Sequence, residues 1–287
     1  MISLIAAIIS AGYFFLLPAR TWRCATFYRR VFPDRGRLYA LLCTWRQFQS
    51  FARVFSERLE LRKEGRIVYT SEGFEHLEEA ATAGKGGVIV MSHAGNWEVA
   101  ARLLRKQGIR MMLFMGVKLR EEVEGQQKED LRQEELAVVG VEQGSGARWE
   151  MLDALRFLRV GGFVSMTGDR VWSMDRTVTV PFLDRQTTLP EAPYLLAALA
   201  GCPIYIFFSF RTAPRTYHIS ITPPILLSKT PRRERPDVVR AAAADYADLL
   251  AEAVRKHPSQ WCHFEPLPEE GGSLTGLSET PTSRGLS

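Results

Sequence analysis

The chain has 287 residues, 46% apolar and 24% charged, so it can bury a full core, and neither wholesale disorder nor a multi-spanning membrane protein fits. Its formal charge of +5 is uneven, because residues 20–66 hold eleven Arg and one Lys against Asp34, Glu57, Glu60 and Glu64 and leave the remainder acidic. Cys24, Cys43, Cys202 and Cys262 are scattered without CxxC or Cys/His ligand spacing, which indicates neither a disulfide framework nor a metal site and suits a reducing compartment.

Residues 1–17 (MISLIAAIISAGYFFLL) carry no charged side chain and end at Pro18, with Arg20 and Arg23 following. The run predicts a membrane-anchor helix over residues 1–19. As a helix it would reach about 24 Å against a hydrocarbon core of about 30 Å, so a span needs Pro18 and Ala19 or local thinning. A signal peptide is the rival reading. It lacks basic residues before the run, and bulky Tyr13, Phe14 and Phe15 stand where a small-residue cleavage site belongs. A buried N-terminal helix is the other alternative, since short apolar runs are ambiguous. Under the positive-inside rule, the arginines after the run place the following domain on the cytoplasmic face.

Residues 20–66 are expected to form basic amphipathic helices at the membrane surface, with Phe27, Tyr28, Leu38, Leu41, Leu42, Trp45, Phe48, Phe51 and Phe55 at helical spacing among arginines. The same pattern suits a core-facing stripe with a solvated arginine face. A nucleic-acid surface, which a pI of 9.1 would allow, is disfavoured by the adjoining apolar run and the lack of RNP, KH or zinc motifs.

From Ile67 the pattern becomes short apolar runs alternating with helical segments. Strands are expected at 87–91, 111–115, 136–141, 163–167, 178–182 and 203–210, the last forming a hairpin with 216–222. Helices are expected near 72–82, 96–107, 119–134, 147–159, 190–200 and 236–256. The fold class is therefore α/β, a mixed central sheet flanked by helices over residues 67–265. Residues 266–287, rich in Gly, Ser, Thr and Pro, are expected to be a disordered tail.

The segment Val88-Ile-Val-Met-Ser-His-Ala-Gly-Asn-Trp-Glu98 carries the chemistry. An apolar strand enters a small-residue turn before a helix, which places His93 at a strand's carboxyl end, where α/β folds site their ligands. His93 and Glu98 are five residues apart, about 140° around a continuous helix, so they meet only if His93 precedes the helix and Glu98 lies in its first turn. Gly95 and Asn96 supply the bend and a helix cap. Glu98 could then hold one imidazole nitrogen while the other takes a proton from a hydroxyl, with turn or helix-start amides stabilising an oxyanion. No GxSxG turn is present and no Cys lies in a motif, so a Ser or Cys nucleophile has no candidate. Asn96 and Trp97 also read as a cap and a core residue.

The string HAGNWE resembles the His-x4-Asp/Glu motif, in its HxxNWE form, of the bacterial lipid A late acyltransferases, within the broader lysophospholipid acyltransferase group. The resemblance continues through Arg29-Arg-Val-Phe-Pro33, Gly168-Asp169-Arg170 with Val180-Pro-Phe182, the segment Pro190 to Pro203, and His257-Pro258 with Gln260-Trp261. It implies a glycerolphosphate acyltransferase-like fold and transfer of a fatty acyl group from an acyl-carrier-protein or coenzyme A thioester to a lipid hydroxyl. It implies no cofactor, no metal and no acyl-enzyme, and places the enzyme at the cytoplasmic face of the bacterial inner membrane. His93 and Glu98 become the catalytic pair, with Asn96, Asp169 and Arg170 as substrate-binding residues. Arg170 is the candidate ligand for a phosphate or carrier arm, because a guanidinium forks onto phosphate oxygens. A surface pair between Asp169 and Arg170 is its alternative.

The chain departs from the family at Cys262-His-Phe-Glu265 after Trp261 and at Leu183-Asp184 after Phe182. The acceptor therefore stays open among a lipid A precursor, a related glycolipid, a lysophospholipid and a phosphatidylinositol mannoside. A catalytically silent lipid-binding protein is the non-enzyme alternative, opposed by the intact His93 and Glu98.

Overall fold

Five consecutive apolar residues, Gly87–Met91, form a strand (β2) whose every residue is buried, as a central parallel strand covered on both faces requires. The computed structural model describes residues 2–61, 67–117, 137–142, 148–171 and 176–261. Among these, β2 is flanked by β5 (Phe163–Thr167) on one side and β8 (Ile204–Ala213) on the other, both parallel to it. Outward from β5 lie β3 (Met111–Val117) and β4 (Ala137–Glu142), again parallel. Beyond β8 lie β9 (Thr216–Ile221), antiparallel to it, and β1 (Val68–Glu72), parallel to β9. The seven-stranded order is β1-β9-β8-β2-β5-β3-β4, a mixed, mostly parallel sheet as the alternating pattern predicts.

Side-chain alternation along β2 divides the core. Val88 and Val90 face one layer with α6 (Arg148–Arg159), α7 (Ala192–Ala200) and α8 (Arg235–Lys256). Ile89 and Met91 face the other, where α4 (Glu75–Thr82) contributes Leu77 and α5 (Trp97–Lys106) contributes Ala100, Ala101, Leu103 and Leu104. Helix α7 ends at Gly201, whose φ of 66° is the left-handed conformation that glycine adopts without a Cβ penalty.

Three segments differ from expectation. A strand that the pattern does not predict, β1, pairs with β9, and the helix expected from residue 72 begins at Glu75. Residues 178–182 do form a strand, β6 (Thr177–Phe182), but outside the main sheet, paired only with β7 (Arg185–Pro190) in an antiparallel hairpin. Leu183 and Asp184 form its turn, with φ of 47° and 65°, and two successive positive φ values match the twist of a two-residue hairpin. The helix expected from residue 190 begins at Ala192 because β7 occupies residues up to Pro190. The helix expected over 119–134 and the tail over 266–287 lie outside the described residues.

The N-terminal third is helical: α1 (Ile2–Leu16), α2 (Pro18–Val31) and α3 (Arg37–Leu61). The membrane-anchor helix expected over residues 1–19 finds no support as a span: Pro18 opens a separate helix, α1 has 15 residues, and no helix among the described residues is long and apolar enough to cross a membrane. Instead α1 packs on α3, with the Phe14 ring edge-on to Trp45 at 5.3 Å and to Phe48 at 6.0 Å. Its other face leaves Ile8, Ile9, Tyr13, Phe15 and Leu16 exposed.

Candidate active site

Strand register builds the site. Met91 of β2 stands opposite Thr167 of β5, so His93 and Asp169 each lie two residues beyond paired positions at the carboxyl ends of adjacent strands. The amide of Gly168 donates to the carbonyl of Met91 at 2.8 Å and carries the pairing one step further. A Cβ on residue 168 would come within 2.5 Å of Val90 and 2.7 Å of the Tyr246 ring, so glycine is required for the approach.

Asp169 is fully buried and accepts hydrogen bonds on both oxygens. Its Oδ1 pairs with His93 Nδ1 at 2.8 Å, while its Oδ2 accepts the His93 backbone amide at 2.8 Å and the Trp261 indole N–H at 2.9 Å. An ionised carboxylate is only an acceptor, so this contact puts the proton on Nδ1 and makes Nε2 the basic nitrogen. The His93 side chain keeps 21% of its surface exposed, enough to be reached. Two buried phenols adjoin the pair. Burial, and then the charge of Asp169, push the hydroxyls of Tyr194 and Tyr246 well above the usual tyrosine range, and both stay neutral.

Glu98 lies in the first turn of α5, as its spacing predicts, but its Oε1 accepts from Arg102 Nη2 at 3.1 Å, an i,i+4 ion pair that is largely buried. The carboxylate on His93 Nδ1 is thus Asp169, read from sequence as substrate-binding. Arg170 is half-buried beside it. Asn96 occupies the cap position of α5 without making a side-chain cap bond; its amide donates to the Tyr217 hydroxyl at 3.3 Å.

The turn itself is clamped from two sides. The Gly95 amide donates to the Gln260 carbonyl at 2.8 Å, and the Asn96 amide donates to the Ser209 carbonyl on β8 at 2.7 Å. Gly95 has φ of 86°, and a Cβ there would meet the Ser209 oxygen at 2.1 Å, so both conformation and space demand glycine. The Ala94 amide is held by Ser92 Oγ at 3.1 Å. The amides of Ala94, Gly95 and Asn96 are therefore occupied, which leaves for an oxyanion those of the first turn of α5, where helical geometry supplies no acceptor.

Sequence reasoning missed the residues that support this turn. Glu57 of α3, buried, takes Arg211 Nε and Nη2 at 2.8 and 2.6 Å, the Arg215 amide at 3.2 Å and the Tyr217 hydroxyl at 2.8 Å. Burial pushes its carboxyl up, but the hydrogen bonds from Arg211, Tyr217 and Arg215 and the Arg211 charge together hold it below the usual range. Gln260 bonds the Arg211 backbone through both ends of its amide, at 2.8 and 2.9 Å. Trp261 packs against Phe27 of α2 and Phe182 of β6, and its carbonyl accepts from Gln47 of α3 at 2.7 Å. The only sequence signal was the resemblance of 257–261 to a family segment. Among the described residues no group of three His, Cys, Asp or Glu could hold a metal ion.

A model of the bacterial lipid A biosynthesis acyltransferase family matches residues 31–267, and so includes the His93 turn, Asp169-Arg170 and the Gln260-Trp261 segment. Phosphatidylinositol mannoside acyltransferases from two strains of Mycobacterium tuberculosis are 27% identical to the chain over 201 residues, 68% of this chain. The match spans 58% of the relatives' own length. With its strand-end histidine and the blocks around it falling inside a match that covers most of its length, the chain belongs to the bacterial lipid A biosynthesis acyltransferase family.

Proposed function

We propose that the protein transfers a fatty acyl group from an acyl-carrier-protein or coenzyme A thioester to a hydroxyl of a lipid A precursor or related glycolipid. The observation that carries this reading is the His93–Asp169 pair at the carboxyl ends of the two central strands. With Nδ1–H held by Asp169, Nε2 takes the acceptor's hydroxyl proton as its oxygen attacks the thioester carbonyl carbon. The carbonyl becomes an oxyanion near the first-turn amides of α5. On its collapse the C–S bond breaks, the new ester remains on the lipid, and His93 returns its proton to the departing thiolate. The acyl donor is a substrate, and the step calls for no cofactor.

Asp169 orients the imidazole and stabilises the imidazolium formed during proton transfer, the division of labour found in hydrolase triads. Glu98, one turn into α5, fixes Arg102 and keeps a negative charge close to the turn. Arg170 is positioned for a phosphate or carrier arm, and Asn96 holds the turn through Tyr217. The exposed apolar residues of α1 with Trp22 and Leu38 support placement at a membrane surface, on the cytoplasmic face of the inner membrane under the charge rule. The relatives' name favours phosphatidylinositol mannoside as the second acceptor to assay.

The test is transfer of a radiolabelled acyl chain by the purified full chain to each acceptor class. His93→Ala should lose activity by about 10²–10⁴-fold while keeping its fold and its membrane binding. Undiminished transfer by that variant would remove His93 from the reaction, and binding of lipid without transfer by the wild type would support the silent lipid-binding alternative.

A further inference from the structure

Behind the clamped turn, α3 faces the short 3-10 turn Pro258–Gln260 across a pocket of about 450 Å³. One side is α3, where Leu42, Trp45, Arg46, Gln49, Ser50 and Arg53 recur at helical spacing on one face. The other side is Arg211, Ser259 and Gln260. Three guanidinium groups line it, those of Arg46 and Arg53 from the exposed face of α3, and none of the residues lining it is acidic. Arg211 is neutralised by Glu57, but a guanidinium carries five N–H donors and Glu57 engages only its Nε and Nη2. Arg46 and Arg53 have no ion-pair partner among the described residues.

Like charges gathered around a concavity repel one another more than the same charges dispersed over solvent, and an anion seated between them removes that cost. Fork-shaped donors from several directions suit the tetrahedral oxygens of a phosphate better than a planar carboxylate. Leu42 and Trp45 on the same face offer apolar contact to whatever carries the phosphate. The floor is rigid, since Gln260 is bonded to the Arg211 backbone at both ends of its amide, and the Gln260 carbonyl holds Gly95 of the catalytic turn.

We infer that this pocket is a phosphate subsite, seating the phosphate ester of one of the two substrates beside the catalytic turn. The inference rests on the acyl-transfer reading for its substrates. Both can bring a phosphate: the thioester donor on its carrier arm, and a phospholipid-class acceptor on its headgroup. One chemistry therefore has two sources.

The test is equilibrium binding of two probes to the full chain in neutral detergent micelles, namely coenzyme A and phosphatidylinositol. Arg46→Gln/Arg53→Gln should weaken one of them by about tenfold or more, while Arg232→Gln/Arg233→Gln, which removes the same charge from an exposed loop outside the pocket, leaves both near wild type. Selective loss of coenzyme A assigns the donor, and selective loss of phosphatidylinositol assigns the acceptor. Ser50→Asp, which places a carboxylate in the pocket without removing any donor, should reproduce the loss and guards against a folding defect in the double variant. Wild-type affinity for both probes in Arg46→Gln/Arg53→Gln and in Ser50→Asp, or an equal loss in the loop control, overturns the subsite. Acyl transfer measured on the same wild-type preparation separates this outcome from failure of the functional reading, because binding is read without turnover.

Discussion

The paired ends of β2 and β5 and the three N-terminal helices serve one site in opposite ways. At the strand ends Asp169 has no exposed surface and donors on both of its oxygens. In the helical layer one face of α3 is buried around Glu57, while Leu38 and Arg46 stand in solvent. The first region fixes the His93–Asp169 contact, because the parallel register and the Gly168–Met91 bond bring the two chain segments together. The second supplies the outer clamp, through Gln47, Glu57 and Phe27. The geometry of the His93–Asp169 pair is thus a property of the sheet, and its outer support a property of the helices.

The largest expected effect lies at the strand ends. Asp169→Asn should lower acyl transfer on the order of 10³–10⁴-fold, because an amide no longer enforces the Nδ1–H tautomer or stabilises the imidazolium. Glu98→Ala should cost less, since it breaks an ion pair with Arg102 on α5. Purified folded variants assayed at equal protein would decide between them; a larger loss at Glu98 than at Asp169 would return the orienting role to Glu98.

The strand pattern and the strand-to-helix turn at His93 are legible because their signals are local. A continuous apolar run marks β2, a short mostly apolar run marks β5, and the small-residue turn before Trp97 marks a strand-to-helix junction. Strand β7 was not legible, since Arg185-Gln-Thr-Thr-Leu-Pro190 has no clean alternation and abuts a helix. The Asp169 carboxylate on His93 Nδ1 has no local signal for a related reason. Glu98 is five residues away and Asp169 seventy-six, and only the β2–β5 register, which no local pattern encodes, brings the second one in. Glu57, Arg211 and Tyr217 are further still from local inference, being joined across more than 150 residues.

The next effect tests the clamp. Glu57→Gln leaves Arg211 half-buried without its counter-charge and should destabilise the fold by about 3 kcal/mol, the scale for removing one member of a buried pair. The sign with pH follows from its depressed folded pKa. The ionised carboxylate's contribution is complete above the unfolded carboxylate value and is lost as pH falls through the lower folded value. Thermal melts of wild type and Glu57→Gln should therefore differ most near neutrality and converge in acid. A gap independent of pH would assign the loss to packing.

Arg170→Lys should be milder, about tenfold in acyl transfer with an unchanged melting temperature, because Lys retains the charge but not the two-pronged donor geometry. An unchanged rate would reduce Arg170 to a structural neighbour of Asp169.

The smallest effects belong to the outer face of the helical layer, and they sharpen the comparison most. Leu16 and Leu38 are 79% and 83% exposed, so replacing both with Ser removes almost no contact from the folded state, and stability should stay within about 0.5 kcal/mol. The same leucines, if they enter a lipid interface, each transfer apolar area out of water, so partition of the protein onto vesicles should fall several-fold per side chain. Binding that survives in the double variant and disappears in high salt would place the membrane contact on the arginines alone, since exposed charge interactions are screened and apolar burial is not. A drop in melting temperature without a change in partition would show that this face packs against protein, and the division between a buried catalytic end and an open helical face would have to be redrawn.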